Sequence, residues 1–202
     1  MRSPPRSRYA ARRESIERVN GLIVCAALGI EARALRRGVS GRTPVIRVGY
    51  RARRAGRLPG YAALAVGGFG GALTTDLRPG DVVVATEIRG GRTVPCHRPE
   101  VLAAELRRLG LPAVTAPLLT TDHIVRRGES AALAATGAQV VDMESAVLAA
   151  GAGGRPVAAV RVVVDTPAHP LVRPGTIRHG TAAWRTLRRV GPAIERWAAA
   201  AG

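Results

Sequence analysis

Two carboxylates that each follow a short apolar run are the groups in this sequence best equipped for chemistry. Residues 139–141 lead into Asp142-Met143-Glu144, and residues 157–164 (VAAVRVVV) lead into Asp165. Runs of Val and Ala bounded by Gly and Pro read as buried strands of a mainly parallel sheet. Ligands in such sheets bind beyond the carboxyl ends of the strands. Glu144 and Asp165, 21 positions apart, are therefore expected at the same rim of one pocket. The intervening residues 145–152 are helix-forming and have the length of a crossover between parallel strands. An acid at the end of a buried strand has its charged form disfavoured by desolvation, which suits it to donate a proton near neutral pH.

A third carboxylate has a comparable position. Residues 21–28 (GLIVCAAL) form the first convincing strand, and Gly29-Ile30-Glu31 carries the chain into a helix over 32–37. Glu31 thus leaves a first strand at its carboxyl end, a ligand-facing place; stabilising the helix dipole is its plainer use. Residues 61–66 read as a further strand that delivers Gly67-Gly68-Phe69-Gly70-Gly71. A Gly-rich turn there lets backbone N–H groups approach an anion or sugar closely, or serves packing alone. It is neither a dinucleotide fingerprint nor a P-loop, since the downstream ribose acid and the Gly-Lys-Ser/Thr are missing.

The remaining segments supply the frame. Residues 44–50 and 82–88 read as strands, 89–99 as a loop with Cys96 and His97, and 100–109 as an amphipathic helix ended by Gly110. Residues 114–119 form a strand that leads to Thr120-Thr121-Asp122-His123-Ile124-Val125, with a connecting helix over 126–137. His123 reads as a loop histidine. Residues 166–176 hold three prolines and are expected to form a mobile flap. The last helix, 181–200, puts Trp184, Leu187, Val190, Ile194 and Trp197 on one face, with a kink expected at Gly191-Pro192. Residues 1–20 are Arg-rich without apolar periodicity and are expected to be a disordered extension before a single domain over 21–202.

Composition bounds the partners. The 202 residues are 47% hydrophobic and 3% aromatic, enough for one core built from Ala, Val, Leu and Ile. All 31 basic residues are Arg, and the net charge of +17 would attract nucleic acid, anionic lipid or phosphorylated ligands, or be no more than a solvated surface. Basic residues are not interleaved with aromatics, which argues against a specific nucleic-acid module. Cys25 and Cys96 form no CxxC, and the four histidines show no ligand spacing, so no metal site is expected. Neither a signal-peptide core nor a membrane-length apolar run is present, and a soluble cytoplasmic protein is expected. A Trp exposed on the basic last helix would suit peripheral contact with an anionic membrane.

The wording VVDMESAVLAA followed by AVRVVVDTP resembles the signature of the nucleoside phosphorylase and nucleosidase superfamily, which includes the methylthioadenosine/S-adenosylhomocysteine nucleosidases. VDMES, RVVVD and the short chain are most similar to the phosphorylase-like proteins associated with hopanoid synthesis, and LRPGDVVV at 77–84 fits as well. The resemblance implies an α/β fold: a single-domain three-layer sandwich with a mixed, mainly parallel central sheet, assembled as a homodimer. It implies cleavage of the N-glycosidic bond of a 5′-substituted adenosine, with adenosylhopane among the candidates. It assigns Asp165 to protonating purine N7, Glu144 to the ribose hydroxyls, Met143 to packing on the sugar and Glu31 to activating water. Gly68, Phe69 and Gly70 would lie under the ribose beside the nucleophile, Phe69 also meeting the base, while Ile124 and Val125 run along the purine edge. Asp rather than Asn at 165 favours adenine. No cofactor is implied, with phosphate as the co-substrate of a phosphorylase.

Two departures bear on activity. The superfamily places a full helix before its next strand, where this chain has only 51–60 (RARRAGRLPG), with little room for one. No Arg stands immediately before 67–71, where phosphorylases of the superfamily carry one, and Glu31 would repel phosphate; Arg33, Arg47 or Arg51 are the substitutes on offer. Water and phosphate both stay open as acceptors at this point. The alternatives are a catalytically impaired relative, or a basic protein that binds adenine nucleosides or anionic partners without turnover.

Overall fold

The computed structural model describes residues 21–126, 128–167 and 176–201. The expected basic extension lies outside them, as does all of the expected flap but its first two residues and its last. The chain order is β1 (Leu22–Ala26), α1 (Gly29–Arg36), β2 (Val45–Arg47), 3-10 turns at Tyr50–Ala52 and Ala55–Arg57, β3 (Ala63–Ala72), β4 (Val82–Gly90) and β5 (Arg92–Pro95). It continues with α2 (Pro99–Arg108), β6 (Ala113–Thr120), α3 (Ser130–Ala134), β7 (Val140–Asp142), α4 (Ser145–Ala150), β8 (Val157–Asp165) and α5 (Thr176–Ala201).

Among the described residues the sheet is mixed and mainly parallel, with five parallel pairings of eight. β1 joins β2 to β3, and β3 runs parallel to β8. From β8 the sheet passes through β4 and β6 to β7, and β7 pairs antiparallel with the last residues of β3, closing a five-strand ring. Helices α1, α2 and α5 cover one face around Leu35, Leu102, Leu106, Leu187 and Ile194. Helix α4 and the segment around Ala52 cover the other around Val66, Val83, Ile88 and Leu148. This is the expected three-layer arrangement.

Helix α5 anchors the first of these cores. Its indole at Trp197 is fully buried, and Nε1 donates 2.7 Å to the His97 carbonyl. A buried Trp of this kind is worth about 3–5 kcal/mol against Ala. Trp184 is half-buried, with the Arg37 guanidinium 5.6 Å from its ring. The helix continues through Gly191 and Pro192. A Cβ at Gly38 would fall 1.9 Å from the Arg188 carbonyl oxygen, the group that Pro192 deprives of its i+4 donor, so only glycine admits this approach.

Four sequence expectations are corrected here. The glycines 67–71 are not a turn: β3 runs through them to Ala72, because strands press on both edges where a Cβ would not fit. The loop over 89–99 is largely the β4–β5 hairpin, turned at Gly91 with φ 73°. Of the helix expected over 126–137 only Ser130–Ala134 forms, in a stretch whose two glycines favour turns. The crossover from β7 to β8 does not join parallel neighbours: the two strands flank β3, β7 antiparallel to it and β8 parallel. Residues 51–60 form no α-helix, as expected, and fold into the two 3-10 turns.

Candidate active site

The glycine run of β3 is what brings the acids together. β7 arrives from one side with Val141 opposite Gly71, and β8 from the other with Asp165 opposite Gly71. Between Gly70 and Gly71 the β8 register skips Val164, a bulge of the kind that re-aims a side chain. A Cβ at Gly70 would lie 3.0 Å from Val140 and 3.1 Å from both Arg161 Cβ and the Val141 carbonyl oxygen. Larger residues would force β7 and β8, and their acids, apart.

These elements enclose a cavity of about 440 Å³ with a largely apolar wall. Glu31, Glu144 and Asp165 all border it, together with Met143 and Phe69. Gly70, Ile124 and Val125 complete the set of expected site residues on its wall, Ile124 at the outer edge with 70% of its surface exposed. Gly68 is the exception: it does not line the cavity, and a Cβ there would come 2.7 Å from Glu31 Oε1.

Each carboxylate is held differently. Glu31 sits in the first turn of α1 and is buried; its Oε2 accepts from Leu28 N–H and its Oε1 from Phe69 N–H, both at 2.7 Å. It therefore caps the helix and faces the cavity at once. Burial pushes its pKa up, opposed by these two N–H groups and by the Arg161 charge, while Glu144 adds to the rise. Glu144 Oε1 accepts from Arg51 N–H at 3.0 Å, and burial raises its pKa too. Asp165 is desolvated with little to compensate, and its carboxyl is pushed from 3.8 to about 6.

The sequence reading missed the layer beneath. Arg161, in the middle of β8, is buried and commits all five of its N–H donors. Nε and Nη2 reach Asp142, Nη2 also reaches Ser145 Oγ at 2.8 Å, and Nη1 donates to the Val66 and Val160 carbonyls at 3.3 and 3.1 Å. Asp142 further accepts from Thr120 Oγ1 at 2.6 Å and from Ser145 N–H. Burial works against the Arg161 charge, but Asp142 together with Glu31 and Glu144 outweighs it and holds the guanidinium above its ordinary pKa. A lone Arg inside VAAVRVVVD was the available signal, since a charge in a buried strand requires a partner. The sequence offers Arg51 as a phosphate ligand; in the structure its backbone serves the site instead. Its φ of 54°, next to Ala52 at 52° and Gly49 at 79°, turns the shortened segment back so that its N–H meets Glu144.

His123 borders the mouth, with Nδ1 2.8 Å from Asp122 and Nε2 3.3 Å from Glu129, and these bonds raise its pKa. Cys25 and Cys96 are desolvated thiols pushed up to about 12, consistent with packing rather than reactivity. No cluster of His, Cys, Asp and Glu suited to a metal occurs among the described residues.

Comparison with known proteins agrees with this architecture. The model of the Phosphorylase superfamily matches residues 54–177. The 5′-methylthioadenosine/S-adenosylhomocysteine nucleosidase of Neisseria meningitidis, solved with methylthio-immucillin-A, superposes with a TM-score of 0.72 at 16% identity, over 88% of this chain and 100% of that one. The Campylobacter jejuni enzyme of the same name gives 0.71 at 13% identity, over 87% and 99%. Futalosine hydrolase of Helicobacter pylori gives 0.66 at 13% identity, over 90% and 98%. At such identities the likeness is one of fold. A search of curated protein sequences finds no match. With more than half of its length matched by the family model, the chain belongs to the phosphorylase superfamily, the nucleosidase and nucleoside phosphorylase class of enzymes.

Proposed function

We infer that this protein cleaves the N-glycosidic bond of a 5′-substituted adenosine and releases adenine, with water as the acceptor. The observation that carries the reading is three carboxyl groups of raised pKa around one apolar cavity, Asp165 at about 6. Bond cleavage develops positive charge on the ribosyl ring and leaves a purine that needs a proton. Asp165, poised to be partly protonated near neutral pH, donates it to N7. Glu144 accepts hydrogen bonds from the ribose hydroxyls while Met143 packs on the sugar, and the Glu144 carboxylate favours the cationic ring. Glu31, fixed by two backbone N–H groups, takes a proton from the attacking water.

Water is favoured over phosphate by charge. Among the described residues no Arg borders the cavity, the carboxylates of Glu31 and Glu144 line it, and Arg161 has no donor to spare. Adenosylhopane joins methylthioadenosine and adenosylhomocysteine as a candidate, on the likeness of VDMES and RVVVD alone. The test is adenine release from these three nucleosides, with and without phosphate. Release without phosphate is expected; release from none of them would leave the binding-only reading.

A further inference from the structure

A second, smaller cavity of about 60 Å³ adjoins the first. Gly71, Val125, Val141 and Asp165 border both, whereas Glu31, Met143 and Glu144 border only the larger. The two cavities therefore meet at Asp165, and not at the groups assigned to the ribose and the water. A Cβ at Gly71 would lie 3.1 Å from Asp165 Oδ1, so the carboxyl rests against the end of β3 with a cavity on either side. The rest of the smaller wall holds Ala72, the last residue of β3, and Ser130, the first of α3, beside the apolar Leu73 and Pro167. Packed interiors leave few voids larger than a water. This one stays open because the residues at 71, 72 and 130 are small.

The chemistry of the purine says what would reach it. N7 and the 6-amino group of adenine share one edge of the ring. A carboxyl that faces N7 also meets one N–H of the amino group, while the other N–H points past it toward N1. Val125, expected along the purine edge, belongs to the wall that both cavities share.

We propose that the smaller cavity is a subsite for a short alkyl group on the 6-amino nitrogen, so that the protein takes N6-methyladenine nucleosides as well as unmodified ones. The inference rests on the adenine-release reading, which sets Asp165 at N7. A volume of about 60 Å³ is the share of roughly two waters, room for one or two carbons but not for a ring. A single N6 substituent also leaves one N–H for Asp165. Two substituents would press a methyl on the carboxyl and leave its acceptor unpaired.

The experiment is calorimetry of the full chain with adenine, N6-methyladenine, N6,N6-dimethyladenine and N6-benzyladenine. N6-methyladenine is expected to bind within about threefold of adenine, and the dimethyl and benzyl bases at least about tenfold more weakly. Release of N6-methyladenine from the N6-methyl derivative of methylthioadenosine should run at a kcat/KM within about threefold of the parent nucleoside. Ser130→Leu fills the smaller cavity and should lower the affinity for N6-methyladenine relative to adenine by about tenfold or more, with circular dichroism checking its fold. A wild-type chain that binds adenine but takes N6-methyladenine about a hundredfold more weakly would overturn the subsite and leave adenine release standing. One that binds neither base would overturn both. Benzyl binding as tight as methyl binding would show that no bounded subsite exists, and an unchanged ratio in folded Ser130→Leu would place the methyl group elsewhere; either overturns the proposal. The wild-type comparison decides the matter even where the variant fails to fold.

Discussion

Asp165→Asn keeps the shape of the side chain at the end of β8 while removing its ability to ionise. In the folded protein burial lifts this carboxyl from 3.8 to about 6. The folded state therefore binds a proton that the unfolded state has already released between roughly pH 4 and 6, so stability falls as pH rises through that window and stays lower above it. The displacement is worth about 3 kcal/mol as an upper bound, and contact with solvent reduces that to about 1–2 kcal/mol. The Asn variant lacks this penalty. It should melt about 2–8 °C higher than the wild type at pH 7.5 and show little difference at pH 4. Its turnover should fall about 100- to 10,000-fold, the usual contribution of a positioned acid. Thermal melts followed by circular dichroism across this pH range, with adenine release measured alongside, read both effects. A variant with the wild-type melting profile would refute the desolvation argument, and one with wild-type turnover would remove Asp165 from the chemistry.

Other perturbations probe the neighbouring groups. Glu31→Gln should slow release of adenine by 100-fold or more while calorimetry finds substrate-analogue binding changed only a few-fold. Gly68→Ala places a methyl 2.7 Å from Glu31 Oε1, which two N–H groups hold fast, and should lower turnover about tenfold or more and cost about 1–3 kcal/mol in urea titration. Asp142→Ala leaves Arg161 buried and unpaired, and urea titration should show a loss of about 3–5 kcal/mol. Gly38→Ala drives a methyl toward the Arg188 carbonyl between the end of α1 and α5, and the same titration should show a loss of about 1–3 kcal/mol.

The parts legible in the sequence were those with local signals. Val- and Ala-rich runs gave β1, β4, β6 and β8, and the pattern of Trp184 to Trp197 gave α5. Glu31, Glu144 and Asp165 were placed at strand ends by position alone, and the fold brings all three to one cavity. The parts that failed depend on partners distant in sequence. Gly67–Gly71 looks like a turn because glycine breaks isolated strands, yet it is a strand compressed between β7 and β8. The antiparallel entry of β7 has no mark in a three-residue strand. Arg161 could have been suspected from its apolar surroundings, but the acceptors of its five hydrogen bonds come from β3, α4, β7 and β8. The use of the Arg51 N–H rests on a left-handed backbone at a non-glycine residue, which no propensity foretells.

The central claim, that these carboxyl groups direct water rather than phosphate to the anomeric carbon, is tested most directly by the sugar product. Wild-type protein is incubated with methylthioadenosine in phosphate buffer, and the products are resolved by mass spectrometry. The account predicts adenine and a free methylthio-sugar, in amounts that do not change when phosphate is withdrawn. A methylthio-sugar 1-phosphate, formed only with phosphate present, would contradict it.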